Sequence, residues 1–268
     1  MKKFDWKNVL NEDEKKQVLS LQKQRESEQS IHHKLDLGFV DGEKSYAKHL
    51  LYWEDDQLVG YAWATSFDPT ELELTLILSE STEDLTAVLA EIQRYAKEQS
   101  VTNTVLIADQ ANKFLADGFE KQAIEKQFSE YFMLLDLDKN ASNEQKTVPL
   151  VSPRETDLPA LEQLLGGSPL AEDLKNTRVY KEADQVLACI RLDEDHGNWG
   201  IFGFVVQEDQ RGKGLGKQVL NGAIQLILES DPKSIYLEVE TENKPAYHLY
   251  LSTGFDVRNQ YDYYDLSK

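Results

Sequence analysis

Thirteen residues, Val205-Val206-Gln207-Glu208-Asp209-Gln210-Arg211-Gly212-Lys213-Gly214-Leu215-Gly216-Lys217, gather the residue types that bind an anion. A β-rich run ends at Val205 and Val206, three alternate glycines follow, and an amphipathic helix begins at once. Glycines at 212, 214 and 216 let backbone N–H groups turn inward with no Cβ in the way. Together with the free N–H groups of a helix N-terminus they make a nest suited to phosphate. Arg211, Lys213 and Lys217 add local positive charge to a chain whose 29 Lys+Arg face 48 Asp+Glu, a formal charge of −19. Spacing excludes two common phosphate loops. Counting from Gly212, the second glycine of the Walker A pattern and the third of the dinucleotide fingerprint both fall on Lys217. Counting the fingerprint from Gly214 puts its third glycine on Val219.

A second stretch, Ser234–Phe255, reads as a strand followed by a short helix. Asn243 suits the N-cap, Pro245 the first turn and Gly254 a left-handed C-terminal position. Tyr250 lies four residues after Ala246 and seven after Asn243, hence on the same side of that helix. Its phenol can give a proton or simply pack. Alternation puts Leu237 and Val239 on one face of the strand and Glu238 and Glu240 on the other, where Glu238 is either a base or a solvated carboxylate. His32-His33 stands alone on a polar segment, so no metal site is expected. His248 falls on another helix face from Tyr250, and Cys189 sits in an apolar strand as core.

At these two stretches the chain resembles the GNAT (GCN5-related N-acetyltransferase) family. The family wording V-x-P-x-x-R-G-x-G-I-G is met by V-Q-E-D-Q-R-G-K-G-L-G from Val206 to Gly216, with Glu208 in place of the proline. The pattern L-x-V-x-x-x-N-x-x-A-x-x-L-Y-x-x-x-G-F is matched by Leu237, Val239, Asn243, Ala246, Leu249, Tyr250, Gly254 and Phe255. The resemblance implies that Val205, Val206 and the loop from Arg211 through Lys217 bind acetyl-CoA as co-substrate, chiefly through main-chain amides. It implies that Asn243 meets the pantetheine arm and that Tyr250 protonates the departing thiolate. The wording Leu237-Glu238-Val239 resembles the branch that acetylates protein N-termini, which makes Glu238 the candidate base; Glu-Val also occurs here in other branches, so the acceptor stays open.

The elements that must position these residues occur twice. Two strand-like runs (His49–Glu54 and Leu58–Ser66; Thr177–Lys181 and Gln185–Leu192) precede a third (Glu71–Leu78; Trp199–Val206). A helix follows (Glu83–Glu98; Gly216–Glu229), then another strand (Thr104–Ile107; Ser234–Val239). Further helices are expected over Glu12–Ser30 and Glu155–Leu165. Each half closes with a Gly-Phe pair, 118–119 and 254–255, and an alternating aromatic run, Tyr131–Leu137 and Tyr261–Leu266. Taking the Gly-Phe pairs as equivalent makes Phe114 the counterpart of Tyr250 and Gln110 that of Ala246. The polar stretch Asp138–Thr147 reads as the linker. The expectation is an α/β chain of two tandem GNAT-like domains, each a mixed β-sheet flanked by helices. Residues 1–140 form the degenerate one, since Leu78–Asp84 offers acids and no glycine where the anion loop belongs; residues 147–268 form the acetyltransferase. The first half either walls the acceptor pocket or is structural.

Composition bounds the partners. The acidic balance argues against nucleic acid and anionic membranes. No apolar run approaches the ~20 residues of a span, and no signal-peptide core follows Met1, so a cytoplasmic protein is expected. One cysteine rules out a disulfide framework. The reading is an acetyl-CoA-dependent N-acyltransferase that moves an acetyl group directly to a primary amine, small-molecule or peptide, with no metal. The surface charge is either ordinary solubility charge or an attraction for a cationic acceptor. The rival is a non-catalytic CoA-binding sensor or interaction protein that retains the fold. Oligomeric state has no sequence signal here.

Overall fold

The computed structural model describes residues 2–137, 146–167 and 171–267; most of the linker expected at Asp138–Thr147 lies outside them. The chain divides into two compact units, residues 1–130 with 259–268, and residues 131–258. This differs from a division at 140/147, because the last strand of each half contributes to the other unit's core. Tyr264 and Leu266 are buried in the first unit, Met133 and Leu135 in the second.

In the first unit β1 (Lys2–Lys7), β2 (Ala47–Glu54), β3 (Gln57–Thr65) and β4 (Glu71–Leu78) pair antiparallel in order. β4 then pairs parallel with β5 (Asn103–Asp109), which meets the end of β11 (Phe255–Asp265) antiparallel. α1 (Glu12–Gln29) covers one face through Val18 and Leu21. α2 (Thr82–Glu98) and α3 (Lys113–Lys121) cover the other, where Leu85, Val88, Leu89 and Ile92 form a stripe at helical spacing. β1 is absent from the sequence expectation. Phe4 and Trp6 alternate inward, where they stack on Tyr52 and Tyr95 with ring centroids 4.7 and 3.8 Å apart.

The second unit repeats the plan. α4 (Leu158–Leu165) and α5 (Ala171–Asn176) precede β7 (Thr177–Glu182), β8 (Gln185–Asp195) and β9 (Asn198–Val206), which pair antiparallel. α6 (Leu215–Leu228) leads to β10 (Ser234–Glu240), parallel to β9, and α7 (Lys244–Ser252) leads to β11. The end of β6 (Glu125–Leu135) adjoins β10. Val219, Leu220, Ala223, Ile224 and Ile227 of α6 bury one sheet face, and Leu161 of α4 packs on the other.

Duplication is visible in backbone detail. The hairpin β2–β3 turns on Asp55-Asp56 at φ 46° and 66°; β7–β8 turns on Ala183-Asp184 at φ 45° and 66°. Both are two-residue turns whose left-handed residues match strand twist, and both carry a register shift at Tyr52/Trp53 and Tyr180/Lys181. A step of 131 residues carries β5 onto β10, the N-cap Asn112 onto Asn243, and Ala123 (φ 56°) onto Gly254 (φ 96°). This corrects the correspondence drawn from the Gly-Phe pairs. Gly118 lies inside α3, where a Cβ would sit 2.3 Å from Leu85 Cδ2, whereas Gly254 lies beyond α7. The counterpart of Tyr250 is therefore Phe119, and that of Ala246 is Leu115.

Candidate active site in the second unit

Two strands that begin as neighbours and then part form the framework. β9 and β10 pair from Asn198/Ser234 to Ile201/Leu237, yet they continue to Val206 and Glu240. β9 turns away at a bulge, where Gly203 and Phe204 together oppose Ile190 and Gly203 takes φ 50°. A bulge of this kind bends the strand and re-aims the residues beyond it. In the first unit β3–β4 pairing runs unbroken from Gly60/Leu78 to Thr65/Glu73. There the extended segment after α1 ties to both parallel strands: Thr75 Oγ1 donates to Lys34 O (2.7 Å), and His32 N donates to Asp109 Oδ2 (2.8 Å). His33 packs its ring nitrogen against Glu26, so the His32-His33 pair serves this local structure.

At the end of β9 stands the glycine loop. Gly212 and Gly214 adopt φ 73° and 83°, the left-handed region that favours glycine. Gly214 is the N-cap of α6 and provides no side-chain hydrogen bond. Asn11, Ser81, Asn112 and Asn243 close α1, α2, α3 and α7 with side-chain oxygens. Among the described residues the first N–H groups of α6, on Leu215, Gly216 and Lys217, thus have no side-chain cap, at the positive end of the helix. Gly216 plays a different part from the one expected: it lies in the first turn, where a Cβ would be 3.4 Å from Leu249 Cδ2 and 3.7 Å from Val206 Cγ2. The cations are partly engaged by the chain itself. Arg211 Nε donates to Val206 O (2.9 Å), Lys213 Nζ to Gln210 Oε1 (3.4 Å), and Lys217 Nζ to Ser252 O (2.9 Å).

The first turn of α2 treats its N-terminus in the opposite way. Asp84, at the helix position of Lys217, is buried and accepts from Tyr52 Oη (2.7 Å), Lys2 Nζ (3.1 Å) and Ser79 Oγ (3.3 Å). Burial alone would raise its carboxyl, but the hydrogen bonds from Tyr52 and Lys2 outweigh it and hold the carboxyl below the usual range. The first unit supplies its own anion where α6 has none.

Tyr250 reaches the sheet from the α6 side. It is 7% exposed, in the core with Leu237, Val239 and Phe255, its ring 6.0 Å from that of Phe255. Its hydroxyl makes no hydrogen bond among the described residues, and burial pushes its pKa up to about 12, so it stays protonated at every physiological pH. Phe119, its counterpart, is fully buried and carries no proton. Asn243 caps α7 through Oδ1 to Ala246 N (3.2 Å), as the spacing implies. Glu238 is half-buried on the face opposite Leu237 and Val239. That face also carries Tyr236, packed edge-on to Phe202 at 6.1 Å.

A cavity of about 280 Å³, with no clear signal in the sequence, opens on this face, lined by Leu165, Thr177, Cys189, Gly203, Asp173 and Arg191. The same cross-strand positions of the first unit are filled. Arg191 pairs with Thr177 as Trp63 pairs with His49, and Cys189 with Val179 as Tyr61 with Leu51. His49, Tyr61 and Trp63 are buried together: His49 Nδ1 lies 2.8 Å from Tyr61 Oη, and Phe39 packs against both aromatic rings at 5.8–5.9 Å. Burial lowers the His49 pKa to about 4, so the folded chain keeps it neutral. Because the folded value lies below the unfolded value near 6.5, stability is whole above pH 6.5 and falls as pH drops toward 4. Denaturant unfolding at pH 7 and 4.5 should show a smaller loss for His49→Gln than for wild type; an equal loss would mean His49 does not carry the effect.

A mixed-sheet α/β unit made twice, with a glycine loop before the helix start in one copy and a buried carboxylate at the matching helix turn in the other, defines a duplicated α/β fold. The chain belongs to the acetyltransferase (GNAT) family, whose model matches residues 149–255. It is 36% identical over 106 residues to a spermine/spermidine N(1)-acetyltransferase of Bacillus subtilis, a match spanning 34% of this chain and 70% of that protein. A GCN5-related N-acetyltransferase from Sphaerobacter thermophilus has the same fold, at 14% identity, TM-score 0.73, and coverage of 98% of this chain and 96% of that one. So does a tandem GNAT protein from the clavulanic acid biosynthesis pathway, at 13% identity, TM-score 0.67, and coverage of 98% and 99%.

Proposed function

We propose that the second unit transfers an acetyl group from acetyl-CoA directly to a primary amine, and that the first unit has no cofactor site. The observation that carries this reading is the uncapped N-terminus of α6 behind two left-handed glycines, at the end of a strand that parts from its neighbour. These residues fit the co-substrate: the free N–H groups of α6 suit a pyrophosphate, and the parted edges of β9 and β10 offer backbone groups to an amide-bearing arm. Acetyl-CoA supplies the acyl group as an activated thioester. Arg211, Lys213 and Lys217 surround the anion with positive charge, and Asn243 borders the arm.

In the transfer, the amine nitrogen forms a bond to the acetyl carbon as the carbon–sulfur bond breaks. Glu238 accepts the proton that the nitrogen loses, directly or through water, and Tyr250 gives its proton to the sulfur. Neither residue forms a covalent bond to the acyl group. The acceptor is a small or peptide amine; the relative's activity toward spermine and spermidine, and the charge of −19, put cationic amines first in a screen. Thiol release from acetyl-CoA, followed across a panel of primary amines, tests this. Amine-dependent release is expected, and binding of acetyl-CoA with no release for any amine would favour a sensor that has kept the fold.

A further inference from the structure

Resting on that reading, we infer that Lys217 is a positioning residue, whose ammonium holds the end of α7 against the start of α6 and so fixes the aim of the Tyr250 phenol. Lys217 is the third residue of α6, at the positive end of that helix, where a cation is unfavourable. Its Nζ reaches across to the negative end of α7 and donates to Ser252 O (2.9 Å), on the last residue of that helix. The last turn of α7 then has every carbonyl engaged. Leu249 O accepts from Ser252 Oγ (2.8 Å) and Thr253 Oγ1 (3.2 Å), and Tyr250 O from Thr253 N (3.1 Å) and Thr253 Oγ1 (2.9 Å). Leu251 O accepts from Gly254 N (3.2 Å). Those donors belong to the turn itself, whereas Lys217 comes from another helix. The two helices also touch at this level, since a Cβ on Gly216 would lie 3.4 Å from Leu249 Cδ2.

The phenol depends on this more than a hydrogen-bonded side chain would. Tyr250 Oη has no hydrogen bond among the described residues, so its aim follows the packing of the ring on Phe255 and the helix that carries it. That helix has nine residues. Asn243 Oδ1 closes its start on Ala246 N (3.2 Å), and Lys217 closes its end. The first unit lacks the phenol and the tie together. Phe119 stands where Tyr250 does, and Asp84, the third residue of α2, stands where Lys217 does and turns to Tyr52 and Lys2. Among the described residues no side chain donates to Lys121 O, the counterpart of Ser252 O. A residue that only held phosphate would act on acetyl-CoA binding; one that acts through Tyr250 acts on turnover.

The test is a double-variant cycle on kcat, read beside calorimetric titration with acetyl-CoA. Lys217 is exposed, so replacing it leaves the core intact. Lys217→Met should lower kcat about 5–10-fold and keep acetyl-CoA affinity within about threefold, because a misplaced proton donor slows transfer without loosening the co-substrate. Lys217→Arg keeps a donor long enough to reach Ser252 O and should hold kcat within about twofold of wild type. In the Tyr250→Phe background, where there is no proton to aim, Lys217→Met should change kcat by less than about twofold. Equal losses in the two backgrounds would overturn the positioning role. So would a Lys217→Met variant that keeps its kcat, or one that loses acetyl-CoA binding, which would make Lys217 a phosphate ligand. Tyr250→Phe as fast as wild type, or a wild type that acetylates no amine, would instead overturn the mechanism on which the role rests.

Discussion

Replacing Gly214 with glutamate is expected to remove acetyl-CoA binding, lowering affinity by about 100-fold or more, nearly 3 kcal/mol. Two effects act together. Gly214 holds φ 83°, and a side chain there costs about 1–2 kcal/mol in the left-handed region. The larger effect is electrostatic. A carboxylate at the N-cap of α6 would take the N–H groups of Leu215, Gly216 and Lys217 for itself, as Asp84 occupies the first turn of α2. Gly214→Ala separates the two, because it strains the backbone and adds no charge; its loss should be about 10-fold. Calorimetric titration of each variant, with circular dichroism as the check on folding, reads both numbers. Full affinity in folded Gly214→Glu would mean that the phosphates are held elsewhere.

Tyr250→Phe is expected to lower kcat by roughly 10–10³-fold with acetyl-CoA affinity unchanged. The ring stays in place against Phe255, so the core is kept, and the lost hydroxyl has no hydrogen bond among the described residues. Stability should therefore hold within about 1 kcal/mol. A proton held by a phenol near pKa 12 is available across the physiological range, so the kcat ratio of variant to wild type should be flat between pH 6 and 9. An unchanged kcat would take Tyr250 out of the mechanism and leave sulfur protonation to water.

The part of the site read directly from sequence is the part built from neighbours in the chain. Gly212 and Gly214 needed only a strand, a turn and a helix start, and Asn243, Pro245 and Gly254 state the two ends of α7 by themselves. Duplication was legible too, but its register was not. The dipeptide Gly-Phe occurs twice for unrelated reasons: Gly118 makes room for Leu85, and Gly254 turns the chain. A better signal stood in the hairpins. Tyr52, Glu54, Asp56 and Gln57 recur as Tyr180, Glu182, Asp184 and Gln185, around matching left-handed turns.

The cavity was illegible for another reason. Thr177, Cys189, Gly203 and Asp173 meet only through cross-strand register and helix packing, and no local pattern records that Arg191 occupies the position of Trp63. The same holds for the final strands. Tyr264 and Leu266 alternate as any strand would, and nothing near them in sequence says which core they enter.

The central claim is that one half of this duplicated chain is loaded and the other is silent. Titration of the wild-type chain with acetyl-CoA by calorimetry tests it most directly. One site per chain is the expected result, at the uncapped end of α6. Two sites would contradict the account, since they would require the first turn of α2, with Asp84 already in place, to accept a second anion; the absence of any site would contradict it as well.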